Sequence, residues 1–216
     1  TQSRSSAASD VYKRQHNKYG FTGTLPENQL DKWSIIGKLG PVVYEKTSYE
    51  LRLEDHLANV NVKILKLNYT QQINYVTNNR YRGELDFVYE HGGRNNFLTK
   101  LCNKLSNNIL VLVNHIKHGE ILQEYLKNVD NKQVYFIRGE VAVEEREEIK
   151  KIMEEHNNVV CIAISAIFST GINIKNLHNI IFAAGGKSFI RTVQSIGRGL
   201  RKHDTKDKLI IMDICD

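Results

Sequence analysis

The chain has 216 residues, of which 41% are apolar and 25% charged, and its formal net charge is +6 at pH 7. A chain of this length and apolar content can bury a core, which excludes a disordered tail. It contains no run of about 18 apolar residues, so the sequence predicts no transmembrane helix. The basic balance is compatible with a polyanionic partner such as nucleic acid.

Three cysteines, Cys102, Cys161 and Cys215, lie far apart and form no C-x-x-C pair. This spacing fits neither a disulfide framework nor a zinc site, and we expect free thiols in a reducing cytoplasm. Two of the three sit in apolar runs, where a cysteine usually serves as a small buried hydrophobe.

The first residues of the chain are set apart from the rest. Residues 5–15 read SSAASDVYKRQ and resemble one reading frame of a sequencing-library adapter. We therefore expect residues 1–15 to be an adapter-like artefact that takes no part in the fold. This start, and an end that falls in a predicted strand, lead us to expect a fragment of a longer protein.

The elements predicted before residue 105 are irregular in pattern. Strands are predicted over Tyr19–Leu25, which runs into a loop, and over Val62–Leu67. Helices are predicted over Gln71–Glu90 and Asn95–Leu105. We place a domain boundary near residue 90, between a segment of residues 16–90 and a domain of residues 91–216.

After residue 105 short apolar strands alternate with helices. The predicted strands are Ile109–Val113, Val134–Ile137, Val159–Ile164, Ile180–Ala184 and Leu209–Ile214. The predicted helices are Gly119–Lys127, Val143–His156 and Phe189–Leu200. Strands without polar alternation are typical of a parallel sheet that is covered on both faces. The sequence therefore predicts an α/β fold with a doubly wound parallel sheet.

The last predicted helix carries the run QSIGRGLR over residues 194–201. At about 100° per residue, Gln194, Arg198 and Arg201 fall within a stripe of roughly 60°, and Ile196 and Leu200 fall opposite. Two guanidinium groups in one patch suit phosphate oxygens, because each can donate two hydrogen bonds. The alternative is the solvated basic end of a helix, which the macrodipole favours.

A second polar run, SAIFSTGIN over residues 165–173, directly follows a predicted buried strand. Hydroxyl groups and backbone amides at the carboxyl end of a parallel strand lie where α/β folds bind ligands. The alternative is a polar exit from the strand that binds nothing.

The pattern Q-x-x-G-R-x-x-R resembles motif VI of the superfamily 2 helicases. These are ATP-driven nucleic-acid translocases built from two RecA-like domains. The resemblance implies that Arg201 is the arginine finger on the γ-phosphate, with Arg198 as its companion and Gln194 as a further nucleotide contact. An arginine finger is worth roughly 10³–10⁵ in rate.

The run after residue 164 is similar to motif V of the same superfamily. The resemblance implies that Ser165 and Thr170 contact the nucleic-acid backbone and that Gly171 and Asn173 approach the nucleotide. Asn173 stands where the family more often has Asp, so it can hydrogen-bond a ribose but carries no charge.

Shorter runs resemble further helicase motifs in the family's order. Asn114-His115 resembles motif IV, which contacts the nucleic-acid backbone. Arg138-Gly139 is similar to a phosphate-contacting segment that lies between motifs IV and V. Thr22-Gly23-Thr24 looks like motif III, which couples the two domains. By itself, each run is also consistent with an ordinary turn or strand end.

The run Gly185-Gly186-Lys187-Ser188 resembles the end of a P-loop, but Ile181 stands where G-x-x-x-x-G-K-[ST] requires its first glycine. The sequence has no D-E-x-H box for Mg²⁺ either. The resemblance implies that ATP and Mg²⁺ are held mainly by a missing first RecA-like domain, of which residues 16–90 are a remnant. We therefore expect this fragment alone to be inactive.

Within the superfamily the motifs resemble those of the phage UvsW-type DNA helicases. This implies a DNA-bound motor domain, with no membrane partner, in the cytoplasm of a bacterium or a phage-infected cell. An RNA helicase, a restriction or remodelling motor, and a nucleic-acid-binding module without catalysis remain alternatives.

Overall fold

The computed structural model describes residues 18–23, 25–26, 28–69, 80–127, 129–138, 143–166, 174–184, 192, 196–203 and 206–216. The chain divides into two compact units, Thr1–Lys46 and Thr47–Asp216. The first contains helix α1, Gln29–Leu39, which begins where the Asn28 side chain accepts a hydrogen bond from the N–H of Leu30. The helix ends at Gly40, whose φ of 95° lies in the left-handed region open to glycine.

The second unit contains the sheet. Its helices are α2 Ser48–Leu53, α3 Arg80–Glu90, α4 Gly92–Lys104, α5 Ile116–Leu126 and α6 Val143–Glu155. Its strands are β1 Asn59–Lys66, β2 Ile109–Val113, β3 Gln133–Ile137, β4 Val159–Ile164, β5 Asn179–Phe182 and β6 Lys208–Cys215. The strand order is β1-β6-β5-β2-β4-β3, and every neighbouring pair is parallel. This confirms the predicted α/β fold class.

The sheet is covered on both faces. On one face, Ile149 and Met153 of α6 and Leu200 pack against alternate residues of the strands. On the other, Leu98 of α4 and Leu122 of α5 pack against the intervening ones. Strands β2, β4 and β5 are buried along their whole length, because they lie in the middle of the sheet between these layers.

Buried asparagines close the edge of the sheet at which the strands begin. The Asn108 amide nitrogen donates to the carbonyls of Met153, His156 and Asn176, and its oxygen accepts from the N–H of Val159. One side chain thus satisfies backbone groups of β4, the end of α6 and the segment before β5, all of which are costly to bury without partners.

The predicted strands after residue 105 are confirmed to within two residues, and the predicted helices at 119–127 and 143–156 are α5 and α6. The predicted strand over Tyr19–Leu25 is wrong. Its described residues form no strand, and Phe21 is 96% exposed. The sequence patterns also missed α1 and α2, which are short and bury no residue.

The expected domain boundary near residue 90 stays a prediction. Strand β1 lies before that position in the sequence. Val60 lies beside Leu209 and Ile64 beside Asp213 in the β1–β6 register, so the six-stranded sheet begins with residues 59–66.

Among the described residues, no helix is both long enough and apolar enough to cross a membrane. Cys102 and Cys161 are buried, and burial raises the pKa of each thiol to about 12.

Candidate nucleotide and nucleic-acid interface

Polar residues gather at the edge of the sheet where the parallel strands end. In the register, Val113 of β2 lies beside Ile164 of β4, and Ile137 of β3 lies beside Ala163 of β4. The next residues along the chain are Asn114, Ser165 and Arg138, so the topology brings three of the predicted nucleic-acid contacts to neighbouring strand ends. Each follows its strand directly, which is where parallel sheets bind ligands.

The hydroxyl of Ser165 has an internal partner in this structure. It donates to the carbonyl oxygen of Val113 over 3.1 Å, across the β2–β4 pair. A serine has one proton to donate, and a phosphate oxygen can only accept. A contact between Ser165 and a nucleic-acid phosphate therefore requires the hydroxyl to rotate away from Val113.

Arg138 and one further predicted contact, His115, are accessible to solvent. Arg138 forms an ion pair with Glu120 of α5 over 3.1 Å, and its side chain is 43% exposed. His115 is exposed at the N-terminal end of α5, with its ring 5.9 Å from that of Tyr89. An exposed pair of this kind is worth little in water, so Arg138 can exchange Glu120 for another anion at small cost.

The described part of the last predicted helix covers residues 192 and 196–199. Leu200 is part of the core and Ile196 packs against it, as the helical pattern predicts. Arg201 is exposed, whereas Arg198 is partly buried. Burial lowers the pKa of Arg198, and the positive charge of Arg201 acts in the same direction. The two guanidinium groups therefore lie within electrostatic range of each other.

The two glycines beside Arg198 have different surroundings. A Cβ atom at Gly199 would lie 2.8 Å from side-chain carbons of both Ile180 and Leu209, whereas one at Gly197 would meet nothing within 4 Å. Glycines inside a helix cost free energy, so they suggest that something approaches the backbone closely. At Gly199 the close neighbour is the sheet itself.

The backbone around Arg201 is tied to the segment before β1. Leu57 and Arg201 form an isolated antiparallel bridge, and the N–H of Ala58 donates to the carbonyl of Leu200 over 2.8 Å. Lys202 forms an ion pair with Asp55. Arg201 is thus exposed on a backbone that is held on both sides.

Several of the predicted site residues lie outside the described part of the chain. These are Thr24, Gly139, Thr170, Gly171, Asn173 and Gln194. Thr22 and Gly23 are exposed residues of the first unit. The functional roles of all the predicted site residues stay predictions.

The sequence patterns missed a buried polar cluster at the same edge of the sheet. Arg94, at the start of α4, forms two hydrogen bonds to the Asp216 carboxylate, of 2.7 and 2.9 Å, and a third to the carbonyl of Ala183. His118 of α5 lies 3.4 Å from the guanidinium and stacks on Tyr89. No motif signals this cluster, because its members are brought together only by the fold.

Protonation of His118 is strongly disfavoured. Desolvation by burial and the neighbouring Arg94 charge lower its pKa to about 3. A neutral imidazole can accept from the guanidinium through Nε2, whereas an imidazolium would present a donor to a donor. His118 is therefore a neutral part of the core at neutral pH.

Comparison with known proteins identifies the family of this chain. Residues 93–203 match the family described as the helicase conserved C-terminal domain, and the chain belongs to this family. It is 30% identical over 203 residues to an ATP-dependent DNA helicase, uvsW, of Enterobacteria phage T4, covering 92% of this chain and 40% of the relative. The chain thus spans less than half the length of that helicase.

Solved structures show the same fold. The crystal structure of T4 UvsW matches with a TM-score of 0.59 and 33% identity, over 74% of this chain and 32% of that one. The DNA-bound type ISP restriction-modification enzyme LlaBIII matches with a TM-score of 0.58 and 18% identity, over 82% of this chain and 13% of that one. The resemblance to the C-terminal RecA-like domain of superfamily 2 helicases is confirmed.

The glycine contacts predict opposite effects of two matched substitutions. Gly197→Ala should raise the free energy of unfolding by up to about 1 kcal/mol, because it improves helix propensity in open space. Gly199→Ala should lower it by about 1 kcal/mol, because overpacking against Ile180 and Leu209 outweighs that gain. Urea unfolding of the 216-residue chain measures both changes. Equal effects of the two substitutions would contradict the close packing of the helix on the sheet.

The lowered pKa of His118 predicts a loss of stability in acid. Between pH 6.5 and about 3 the unfolded chain binds a proton at this histidine and the folded chain does not, so stability falls as the pH falls through this range. At pH 4 the free energy of unfolding should be lower by about 3 kcal/mol than at neutral pH because of this histidine. His118→Gln should abolish this pH dependence of stability, whereas His156→Gln, at an exposed position, should leave it unchanged. Urea unfolding at several pH values measures it, and parallel curves for wild type and His118→Gln would refute the assignment.

Proposed function

We propose that this chain is the second RecA-like motor domain of an ATP-dependent DNA helicase, in which Arg201 is the arginine finger and Arg198 its companion. The observation that carries the proposal is the anchoring of the 196–201 segment. Ile196 and Leu200 face the core while Arg201 is exposed beside Arg198. Positioning and charge stabilisation supply nearly all of the catalysis in phosphoryl transfer, and this segment offers both.

The charges of Arg198 and Arg201 suit an anionic ligand. Each guanidinium stays charged and can donate two hydrogen bonds to oxygens of one group. A triphosphate offers enough oxygens to accept hydrogen bonds from both guanidinium groups. In this proposal Gln194, Gly171 and Asn173 add contacts to the same nucleotide. ATP and its Mg²⁺ are held mainly by a first RecA-like domain in the complete protein.

The proposed nucleic-acid contacts follow the ends of β2, β4 and β3. Asn114, His115, Ser165 and Arg138 offer an amide, an imidazole, a hydroxyl and a guanidinium along neighbouring strands. Contacts of these types reach phosphate and sugar groups, so they position a strand without reading its sequence. We also propose nucleic-acid contacts for Thr170 and Gly139, which lie outside the described residues.

The remaining parts of the proposal concern the complete protein. Residues 16–90 hold a remnant of the first RecA-like domain and its connection to the second domain, whose sheet includes β1 of this segment. Thr22, Gly23 and Thr24 couple the two domains. DNA is the substrate, and the site of action is the cytoplasm of a bacterium or a phage-infected cell. Closure of the two domains on ATP and their opening after hydrolysis would move the protein's contacts along the DNA strand.

Arg201→Ala tests the arginine finger. In the full-length protein this substitution should lower DNA-stimulated ATP turnover by roughly 10³-fold or more, because transition-state charge loses its partner. DNA affinity, measured by fluorescence anisotropy, should change little. Arg82→Ala, at an exposed position of α3, removes the same charge and should leave turnover unchanged. Loss of DNA affinity with turnover retained would instead favour a binding module without catalysis.

Arg138→Gln tests the nucleic-acid surface on the 216-residue chain. Binding to single-stranded DNA should weaken, and the dependence of log K on log salt should become shallower by about 0.7, as expected for one lost phosphate contact. Arg82→Gln should leave the slope unchanged. The same chain should hydrolyse no ATP, because its sequence has no P-loop. An unchanged slope for Arg138→Gln, or appreciable turnover by the chain, would refute the respective part of the proposal.

A further inference from the structure

A lysine that the helicase motifs do not include is buried beside the proposed finger. Lys206 is 3% exposed, although an ammonium group is costly to remove from water. Burial lowers its pKa to about 8, and the charge of Glu154 partly offsets this effect. A buried charge of this kind needs a structural or functional reason, since an apolar side chain of the same length would be cheaper.

The ammonium of Lys206 joins two segments of backbone. Its Nζ donates to the carbonyl oxygen of Gly199 over 2.9 Å and to that of Lys175 over 2.8 Å. Gly199 lies at the end of the helical turn that carries Arg198, and its carbonyl is one of those that a helix leaves without an internal partner. Lys175 lies two residues after Asn173, on the segment that leads into β5.

The Lys175 segment is itself held firmly. The N–H of Lys175 donates to the Glu154 carboxylate, and the Asn176 amide donates to the carbonyl of Met153 over 3.2 Å. Both partners belong to α6, which packs on the sheet through Met153. Lys206 therefore connects the Gly199 turn to a segment that is already fixed to the core.

We propose that Lys206 is a positioning residue, which sets Arg198 and Arg201 relative to the segment that follows Asn173 by holding the carbonyls of Gly199 and Lys175 together. The proposal rests on the function proposed above. Without the ammonium, the end of the helical turn loses its link to the Lys175 segment, and the two arginines lose their fixed distance from that segment. A displacement of about 1 Å at a catalytic group can lower a rate by about 10²-fold.

Lys206→Met tests this role, because methionine nearly matches the length of lysine and donates no hydrogen bond. In the full-length protein we expect kcat for ATP hydrolysis to fall about 10- to 100-fold, with KM for ATP changing less than about twofold, because another domain holds most of the nucleotide. Lys206→Arg, which restores donors, should recover part of kcat. Lys208→Met removes a lysine charge at an exposed position nearby and should have no effect.

Hydrogen exchange on the 216-residue chain gives an independent readout. In Lys206→Met, amides of residues 174–178 and 196–203 should exchange faster at a temperature where the variant is fully folded, while those of β2 and β4 stay protected. If Lys206→Met does not fold, Lys206→Leu, which also donates no hydrogen bond, takes its place in both measurements. Unchanged exchange, or faster exchange throughout the sheet, would overturn the proposal.

The two proposals fail in different ways. If Arg201→Ala leaves ATP turnover unchanged, the arginine-finger function is wrong. If Arg201→Ala abolishes turnover while Lys206→Met keeps a normal kcat, only the positioning role is wrong. A lower kcat that returns to the wild-type value when the variant is assayed well below its unfolding temperature would show a loss of stability alone, which also overturns the positioning role.

Discussion

The parallel register of the sheet is the constraint on which the rest of this structure depends. Because all neighbouring strands run in the same direction, their carboxyl ends meet at one edge, and residues far apart in the sequence become neighbours there. Asn114 and Ser165 are 51 positions apart but follow paired strands. The candidate interface is thus a consequence of strand direction, and its residues need not be adjacent in the sequence.

Close packing holds the candidate arginines at their place in the fold. Gly199 lets its helical turn approach Ile180 and Leu209, Leu200 enters the core, and the bridge between Leu57 and Arg201 holds the following backbone. The buried ammonium of Lys206 adds two hydrogen bonds to backbone carbonyls on the same side. The exposed guanidinium of Arg201 therefore projects from a backbone with little freedom to move.

Buried polar groups connect elements that apolar packing alone would leave free to slide. Arg94 joins the start of α4 to Asp216 after β6, and Asn108 joins the end of α6 to β4 at the opposite edge of the sheet. Each group costs free energy to bury and recovers it only in one geometry. Such groups specify one arrangement of the helices on the sheet.

The amino-acid sequence by itself determined the α/β class, the five described strands after residue 105 and the apolar face of the Ile196–Leu200 turn, because these follow from local hydrophobic periodicity. It failed at Tyr19–Leu25, whose described residues form no strand, and it predicted the β1 strand without its place in the sheet. Only the tertiary structure decided that Gly199 packs on the core and that Arg94 and Lys206 are buried. These depend on partners 7 to 122 residues away, and no local pattern reports a contact over such distances.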